Sequence, residues 1–308
     1  MGALPLRLGT RGSALALAQA DLVAEAVGGG RIVEIRTSGD EGPRGATEPG
    51  GDKARFVREI ERALLAGEVD VGVHSAKDLP AELPEGLEIA GVPPREDAHD
   101  AYVGEGTGLA DLPEGARIGT SSLRRRAQLL ALRPDLEIVP VRGNVDTRLR
   151  RLAGGDVDGL VLAAAGLRRL GREGEIGFRI DRERMTPAPG QGALALEVRS
   201  DDAAATTAAQ VATDREAFAA LTAERAVVAA LDASCNTPVG AHAEISAGRM
   251  RIAGFCGLPD GGEWIRDEVE ADASEPEPLG RELGERMLAA GARDLLERAE
   301  RMVAGAAG

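Results

Sequence analysis

The sequence predicts an α/β protein with two doubly wound domains followed by a small α+β domain. Three observations carry this expectation. Short runs rich in Val, Ile and Leu alternate with helix-period segments through the first two thirds of the chain, the pattern of strand–helix–strand units. Two proline-bearing stretches, PPRED at 93–97 and TPAPGQG at 186–192, read as crossings into a second domain and back. The last third changes pattern: 241–246, 249–255 and 263–270 alternate as strands of an antiparallel meander, and a helix follows over 277–302. The expected domains are 1–94 with 193–212, then 95–192, then 213–308. A chain of 308 residues is long enough for several cores.

Composition narrows the function classes. Apolar residues make up 43% of the chain but aromatics only 2%, so the cores are built from Ala, Leu, Val and Ile. Few aromatics and a formal charge of −14 argue against nucleic-acid binding and against anionic membranes. The three histidines are scattered and no CxxC occurs, so no metal site is expected. The first residues, MGALPLRLGTRGS, contain no apolar signal region, and no stretch approaches a membrane span. The expectation is a soluble, cytoplasmic monomer with reduced thiols.

In the first domain, 4–8 reads as a strand and GTRGS at 9–13 as a turn. A helix follows with Leu15, Ala18, Leu22 and Ala26 on one face, and Ser13 is positioned to cap it. A Gly-rich turn at a helix start with Arg11 beside it is an anion site in outline. Residues 31–36 form a second strand. The Gly/Pro-rich stretch 37–52 reads as a mobile loop or lid ending at Lys53. The next helix places Phe56, Val57, Ile60, Ala63 and Leu64 at helical spacing. Val69, Val71 and Val73 then alternate as a strand, with His74, Ser75, Lys77 and Asp78 directly behind it. Ligands of open α/β sheets bind at such strand ends, so an ammonium beside a carboxylate suggests binding with proton chemistry; Asp78 as a simple helix cap is the alternative. A strand over 87–92 ends this part.

The second domain repeats the arrangement. A strand at 116–119 runs into Thr120, Ser121 and Ser122, then into Arg124, Arg125 and Arg126 in the first turns of a helix. Cations there oppose the helix dipole, which suggests that some of them serve an anion rather than only solvent. The strand 137–141 ends at Arg142, the next helix carries Arg148, Arg150 and Arg151, and the strand 159–163 leads into a helix over 164–170. Arginines therefore recur at strand ends, where they can converge on one cleft and grip carboxylates bidentately. A strand at 193–199 returns the chain to the first domain, and a long helix follows over 214–231. The third domain opens with the loop 232–240, which contains Cys235; Cys256 falls in the meander and reads as a small core residue.

Seven segments together resemble the porphobilinogen deaminase (hydroxymethylbilane synthase) family: LGTRGSALALAQ at 8–19, VDVGVHSAKDLP at 69–80, IGTSSLRRRAQL at 118–129, VRGNVDTRL at 141–149, LAAAGLRRLG at 162–171, PAPGQGALALE at 187–197 and SCNTPVGAHAE at 234–244. Their order and spacing match over nearly the whole chain. The resemblance implies two domains similar to type II periplasmic binding proteins with the site between them, and a third domain whose cysteine bears a dipyrromethane cofactor through a thioether; Cys235 matches that cysteine. It implies head-to-tail condensation of four porphobilinogen molecules into hydroxymethylbilane with release of ammonia, so the partners are porphobilinogen and the growing pyrrole chain. Asp78 matches the catalytic carboxylate. Ser13, Lys77, Asp78, Thr120, Ser121, Ser122, Arg124, Arg125 and Arg148 match cofactor-binding positions. Arg11, Ser13, Arg142, Arg148 and Gln191 match substrate-binding positions, with Ser75 a further donor and Lys53 and Phe56 beside the loop.

The chemistry agrees with these residue types. Each pyrrole carries acetate and propionate groups, so the growing chain accumulates negative charge for arginines to hold. Loss of ammonia leaves an electrophilic azafulvene whose positive charge a carboxylate can stabilise, and the same carboxylate can move protons. One departure stands out: Glu175 occupies a place where the family usually has Arg, leaving Arg172 or Arg179 as substitutes, and Arg44 is the nearest cation upstream of Lys53. Two other readings compete, a non-enzymatic bilobal anion-binding protein and a thiol enzyme with Cys235 as nucleophile and His242 as its partner.

Overall fold

The computed structural model describes residues 5–35, 51–233 and 237–305. In chain order the first elements are β1 (Arg7–Arg11), α1 (Ala14–Ala26), β2 (Arg31–Ile35), α2 (Gly51–Leu65), β3 (Val71–Ser75) and β4 (Leu87–Gly91). Next come β5 (Asp100–Gly104), β6 (Arg117–Gly119), α3 (Leu123–Leu132), β7 (Glu137–Val139), α4 (Val145–Ala153), β8 (Gly159–Ala163), α5 (Ala164–Arg169) and β9 (Phe178–Ile180). The chain continues with β10 (Leu194–Arg199), α6 (Ala203–Val211), α7 (Arg215–Ala230), β11 (Val239–Ser246), β12 (Arg249–Gly257), β13 (Trp264–Asp272), α8 (Pro276–Ala289) and α9 (Ala292–Gly305).

These strands form three sheets with orders β2-β1-β3-β10-β4, β7-β6-β8-β5-β9 and β11-β12-β13. In the first sheet β1 pairs in parallel with β2 and β3, while β10 runs antiparallel between β3 and β4. The second sheet copies this plan, with β6 parallel to β7 and β8 and β5 antiparallel to β8 and β9. Because β10 returns to the first sheet, the whole second sheet is inserted between β4 and β10, and the chain crosses between the lobes twice.

The helices form where the sequence offers caps. Ser13 accepts from the Ala16 N–H, Ser122 from Arg125 N–H, Asn144 from Thr147 N–H and Asp214 from Ala217 N–H. The cores contain few rings. The first is built from Leu8, Val23, Val71, Val73, Leu196 and Val198 with Ala205 and Ala209 of α6 beneath them. In the third domain α7 and α8 approach backbone to backbone: a Cβ placed on Gly280 would lie 2.1 Å from the Ala223 carbonyl oxygen, and one on Gly284 2.5 Å from Ala230 Cβ. Small residues bring helices close enough for tight packing without aromatic volume. Cys256 is fully buried in this third core, and burial pushes its thiol up to about 12, as an inert core cysteine requires.

Some local expectations change. β3 runs on to Ser75 rather than stopping at Val73, because His74 and Ser75 pair with Ala195 and Leu194 of β10. The single helix over 277–302 is two, separated at Gly291, whose φ of +102° a right-handed helix does not allow. Strands β5 and β9 and helix α6 carry too little periodicity to be expected. Among the described residues no helix is long and apolar enough to cross a membrane, and no group of three or more His, Cys, Asp or Glu side chains is arranged to hold a metal ion.

Candidate active site

The carboxyl ends of β1 and β3 face a cavity of about 80 Å³ lined in part by Arg11, Ser13, Gln19, His74, Ser75 and Asp78. Arg11 closes β1, and Ser13 turns the chain into α1. Behind β3 the chain makes one 3-10 turn, Ala76–Asp78, closed by the Leu79 N–H on the Ala76 carbonyl and held to the crossing by the Ala76 N–H on Ala193. This turn brings Lys77 and Asp78, both half-buried, to the cleft edge. Gln19 of α1 hydrogen-bonds the Ser75 hydroxyl at 3.0–3.1 Å and ties the helix to the strand end.

The second lobe supplies the opposite cations. Burial is the largest influence on Arg148 and lowers it to about 10; the like charge of Arg125 lowers it further, while the carboxylate of Asp78 raises it. The Asp78 carboxylate of the first lobe is thus among the charges that act on Arg148 of α4. The Arg148 Nε donates to the Gly143 carbonyl at 2.8 Å, leaving its outer nitrogens for another acceptor. Ser121 and Arg142 are exposed, Ser122 is half-buried, and buried Thr120 accepts from the Ser122 N–H at 3.2 Å.

Arg124 and Arg125 are held inside the second lobe. Both are buried, and both grip Asp100, which is buried to 1% exposure in β5. Arg124 Nη1 and Arg125 Nη2 each lie 2.7 Å from an Asp100 oxygen. Arg124 also donates to the Thr186 carbonyl at 2.7 Å, and Arg125 to the Val161 carbonyl at 2.9 Å. Burial pushes the Asp100 carboxyl up, but the two guanidinium groups outweigh it and hold it well below the usual range. Two cations on one carboxylate leave net positive charge at this end of α3, so the anion they serve first is part of the chain itself.

Gln191 lies beside the same carboxylate. It is fully buried, and its amide donates to the Ala98 carbonyl at 2.7 Å and to Asp100 at 3.1 Å, so it pins the second crossing to the first. The arginines considered as substitutes at the Glu175 position are already ion-paired. Arg172 meets Glu175 itself at 2.6 Å and Asp146 at 3.0 Å, and Arg179 meets Asp97 at 2.6 Å and Glu173 at 2.9 Å. The side chains of Lys53 and Phe56, together with Arg44 and Cys235, lie outside the described residues. His242 sits against Glu224, Glu244 and Arg182 at the seam between the second and third domains.

Several residues of this region carry no clear sequence signal. Arg169, half-buried, donates to the Gly192 carbonyl at 2.7 Å, and burial lowers it to about 10. Its only hint is the double Arg after β8. Arg95 and Glu224, far apart in sequence, join in a buried ion pair at 2.6 Å. Asp100 meets Arg124 and Arg125, and His74 meets Glu197, only when β5 and β10 insert into their sheets.

The donor set suits a pair of linked pyrroles bearing carboxylates. Guanidinium groups stand on both walls, hydroxyls at two helix starts, and one carboxylate between them can meet pyrrole N–H groups. Comparison with known proteins agrees. Residues 6–207 match the family model "Porphobilinogen deaminase, dipyromethane cofactor binding domain", and residues 218–289 match "Porphobilinogen deaminase, C-terminal domain". Porphobilinogen deaminase of Thermus thermophilus is 48% identical, covering 94% of this chain and 97% of its own. Those of Syntrophus aciditrophicus (46%; 96% and 99% covered) and Deinococcus radiodurans (47%; 94% and 97% covered) are similar to the same extent. Among solved structures, a TRAP periplasmic solute binding protein from Roseobacter denitrificans is 14% identical over 67% of this chain and 78% of its own, with a TM-score of 0.39. With two family models spanning both the lobes and the C-terminal domain, and relatives matched nearly end to end, the chain belongs to the porphobilinogen deaminase family.

Proposed function

We propose that this chain carries out the family's transferase reaction in the cleft between β3 and α4: four porphobilinogen molecules are condensed head to tail into hydroxymethylbilane, with ammonia released. The observation that carries this reading is the cavity at the carboxyl ends of β1 and β3, which Arg11, Ser13, Ser75 and Asp78 line together. It puts a carboxylate for the reacting pyrrole and a cation for its acidic substituents in one space. The dipyrromethane cofactor, bound through Cys235, supplies the pyrrole end from which the chain grows.

The chain's own residues divide the work as follows. Asp78 accepts the pyrrole N–H groups and stabilises the positive charge that develops as ammonia leaves. It also takes the proton from the carbon that forms the new bond. Arg11, Arg142 and Arg148 hold acetate and propionate groups, with Ser13, Ser75, Lys77, Ser121 and Ser122 as supporting donors. Arg124 and Arg125 set the positive potential of their wall while Asp100 fixes their direction. Lys53 and Phe56 belong to the loop side of the cleft. The domains divide at 1–94 with 193–212, 95–192 and 213–308, so that the third carries the cofactor and the first two close on it. A monomeric, cytoplasmic enzyme that binds neither nucleic acid nor membrane agrees with the charge of −14 and the 2% aromatic content.

The test is the intact mass of the purified protein together with an aldehyde colour reaction for pyrroles. An excess of two linked pyrrole units, absent from Cys235→Ser, supports the reading. A bare-chain mass that stays bare after incubation with porphobilinogen overturns it.

A further inference from the structure

Helix α7 of the third domain holds the turn that carries Asp78, a contact that the mechanism above does not use. The turn is three residues long, Ala76–Asp78, and the chain behind it, 79–84, forms neither helix nor strand. Pro80 and Pro84 bring no N–H to this segment. A short turn followed by irregular chain keeps its direction when other elements fix it.

Two neighbouring residues of α7 supply that hold, one on each side of Asp78. On the near side the second crossing lies against the turn. Gly190, at a φ of +70°, would with a Cβ come 2.9 Å from the Ala76 carbonyl carbon and 2.9 Å from the Lys77 nitrogen, and its N–H donates to Glu224 at 2.6 Å. On the far side Arg225 Nη2 donates to the Ala81 carbonyl at 2.7 Å. One helical turn earlier, Leu221 shares an apolar cluster with Ala76 and Leu79, the residues that bracket Lys77 and Asp78.

Packing does not replace the Arg225 bond. Ala81 lines, with Ile89, Phe218 and Arg225 itself, a cavity of about 670 Å³ between the first domain and helices α7 and α8. A carbonyl beside open space is fixed by its hydrogen bond rather than by close-packed neighbours. Helix α7 ends at Ala230, and Cys235 lies in the segment just after it.

We propose, resting on the deaminase reading above, that Arg225 is a positioning residue: by holding the Ala81 carbonyl it fixes the segment behind Asp78, so that the helix leading toward Cys235 also sets the catalytic carboxylate. Arg225 acts through the backbone. A carboxylate that must meet pyrrole N–H groups and take a proton tolerates little displacement. Loss of one anchor shifts the carboxylate without removing it. The effect therefore falls on kcat, because Arg11 and Arg142, which hold the acidic groups of the substrate, stand on other segments of the chain.

The test uses the holoenzyme with porphobilinogen, cofactor loading checked by intact mass and folding by the melting temperature. Arg225→Met is expected to lose about tenfold in kcat with KM within about twofold. Arg225→Lys keeps a donor but not the planar fork, and is expected to lose about threefold. A loaded, folded Arg225→Met with the wild-type kcat overturns the proposal, even if its melting temperature falls. A loss that appears in KM instead, or an Arg225→Lys as slow as Arg225→Met, overturns it too. Should Arg225→Met not fold or not load, hydrogen exchange read by mass spectrometry on wild type and Arg225→Lys decides. The amides of 77–84 are expected to exchange severalfold faster in Arg225→Lys, together with its lower kcat. Unchanged exchange, or faster exchange with the wild-type kcat, overturns the role. Wild type that does not consume porphobilinogen at all sinks the deaminase reading instead, so the two failures are distinct.

Discussion

Glu224 receives Arg95 through both carboxylate oxygens, at 2.6 and 3.2 Å, and the same carboxylate accepts the backbone N–H of Gly190 at 2.6 Å and of Ala243 at 2.8 Å. Arg95 lies in the first crossing and also donates to the Gln191 carbonyl at 2.9 Å, Gly190 lies in the second crossing, and Ala243 lies in β11. One buried side chain of α7 thus gathers both crossings and the third sheet. Burial raises the Glu224 carboxyl, but Arg95 and then His242 outweigh it and bring it to about 2.

Removing one partner of this pair leaves a buried charge uncompensated. Glu224→Gln is expected to destabilise the protein by about 3 kcal/mol in chemical denaturation. The double variant Arg95→Met/Glu224→Met should lose clearly less than the sum of its single changes, because neither charge remains. Additive losses would show that the two residues do not act as a pair.

Acid should weaken the seams between the lobes and around the third domain. Asp100 and Glu224 are both depressed in the folded state, so their stabilisation is present above the ordinary carboxylate range, about pH 4, and is lost as pH falls through the folded values. Thermal midpoints are expected to fall steeply below about pH 4, and Asp100→Asn to be destabilised near neutrality yet show a shallower acid slope. A parallel slope in the variant would contradict this assignment.

Glu61 has the opposite sign. Its folded value is raised to about 7, so its favourable contribution is complete below the unfolded value and is lost as pH rises through neutrality. Glu61→Gln is expected to be more stable than wild type near pH 8, by on the order of 2 kcal/mol, with the advantage vanishing near pH 5. Equal melting temperatures at the two pH values would count against a buried titrating Glu61.

Asp78→Asn keeps the shape of the cleft but removes its negative charge and its proton acceptor. Turnover should drop by roughly two orders of magnitude or more while the cofactor still attaches. Near-normal turnover in a fully loaded variant would refute the role given to Asp78.

Arg148→Gln removes a cation on which the Asp78 charge acts without breaking a buried ion pair. Its effect should fall on substrate affinity, with KM raised about tenfold or more and thermal stability within about 1 kcal/mol. A large stability loss with unchanged KM would make Arg148 a structural residue instead.

Local order was legible in the residues wherever a signal repeats within a few positions. The alternation of Val69, Val71 and Val73, the caps at Ser13 and Ser122, and the Pro-rich crossings each act through neighbours in the chain. The seven segments extended this to family and cofactor. The strand carrying His74 and Ser75 runs two residues beyond the Val69–Val73 alternation because its last pairs are made with β10, whose partner residues lie far along the chain. The helical pattern over 277–302 breaks into α8 and α9 because Gly291 in a helix is tolerated by pattern alone, and only its positive φ separates the two.

By itself the sequence determined the strand–helix alternation, the two crossings, the small-residue cores and the supply of arginines at strand ends, because periodicity, capping and charge are properties of neighbouring residues. Only the tertiary structure decided what each arginine faces. Arg124 and Arg125 turn inward because β5 brings Asp100 beneath them, Arg148 comes under the charge of Asp78, and Arg95 finds Glu224 on a helix 129 positions away. A buried charge takes whichever opposite charge the fold sets beside it, since desolvation leaves it no alternative partner, and that neighbour is chosen by sheet order rather than by spacing along the chain.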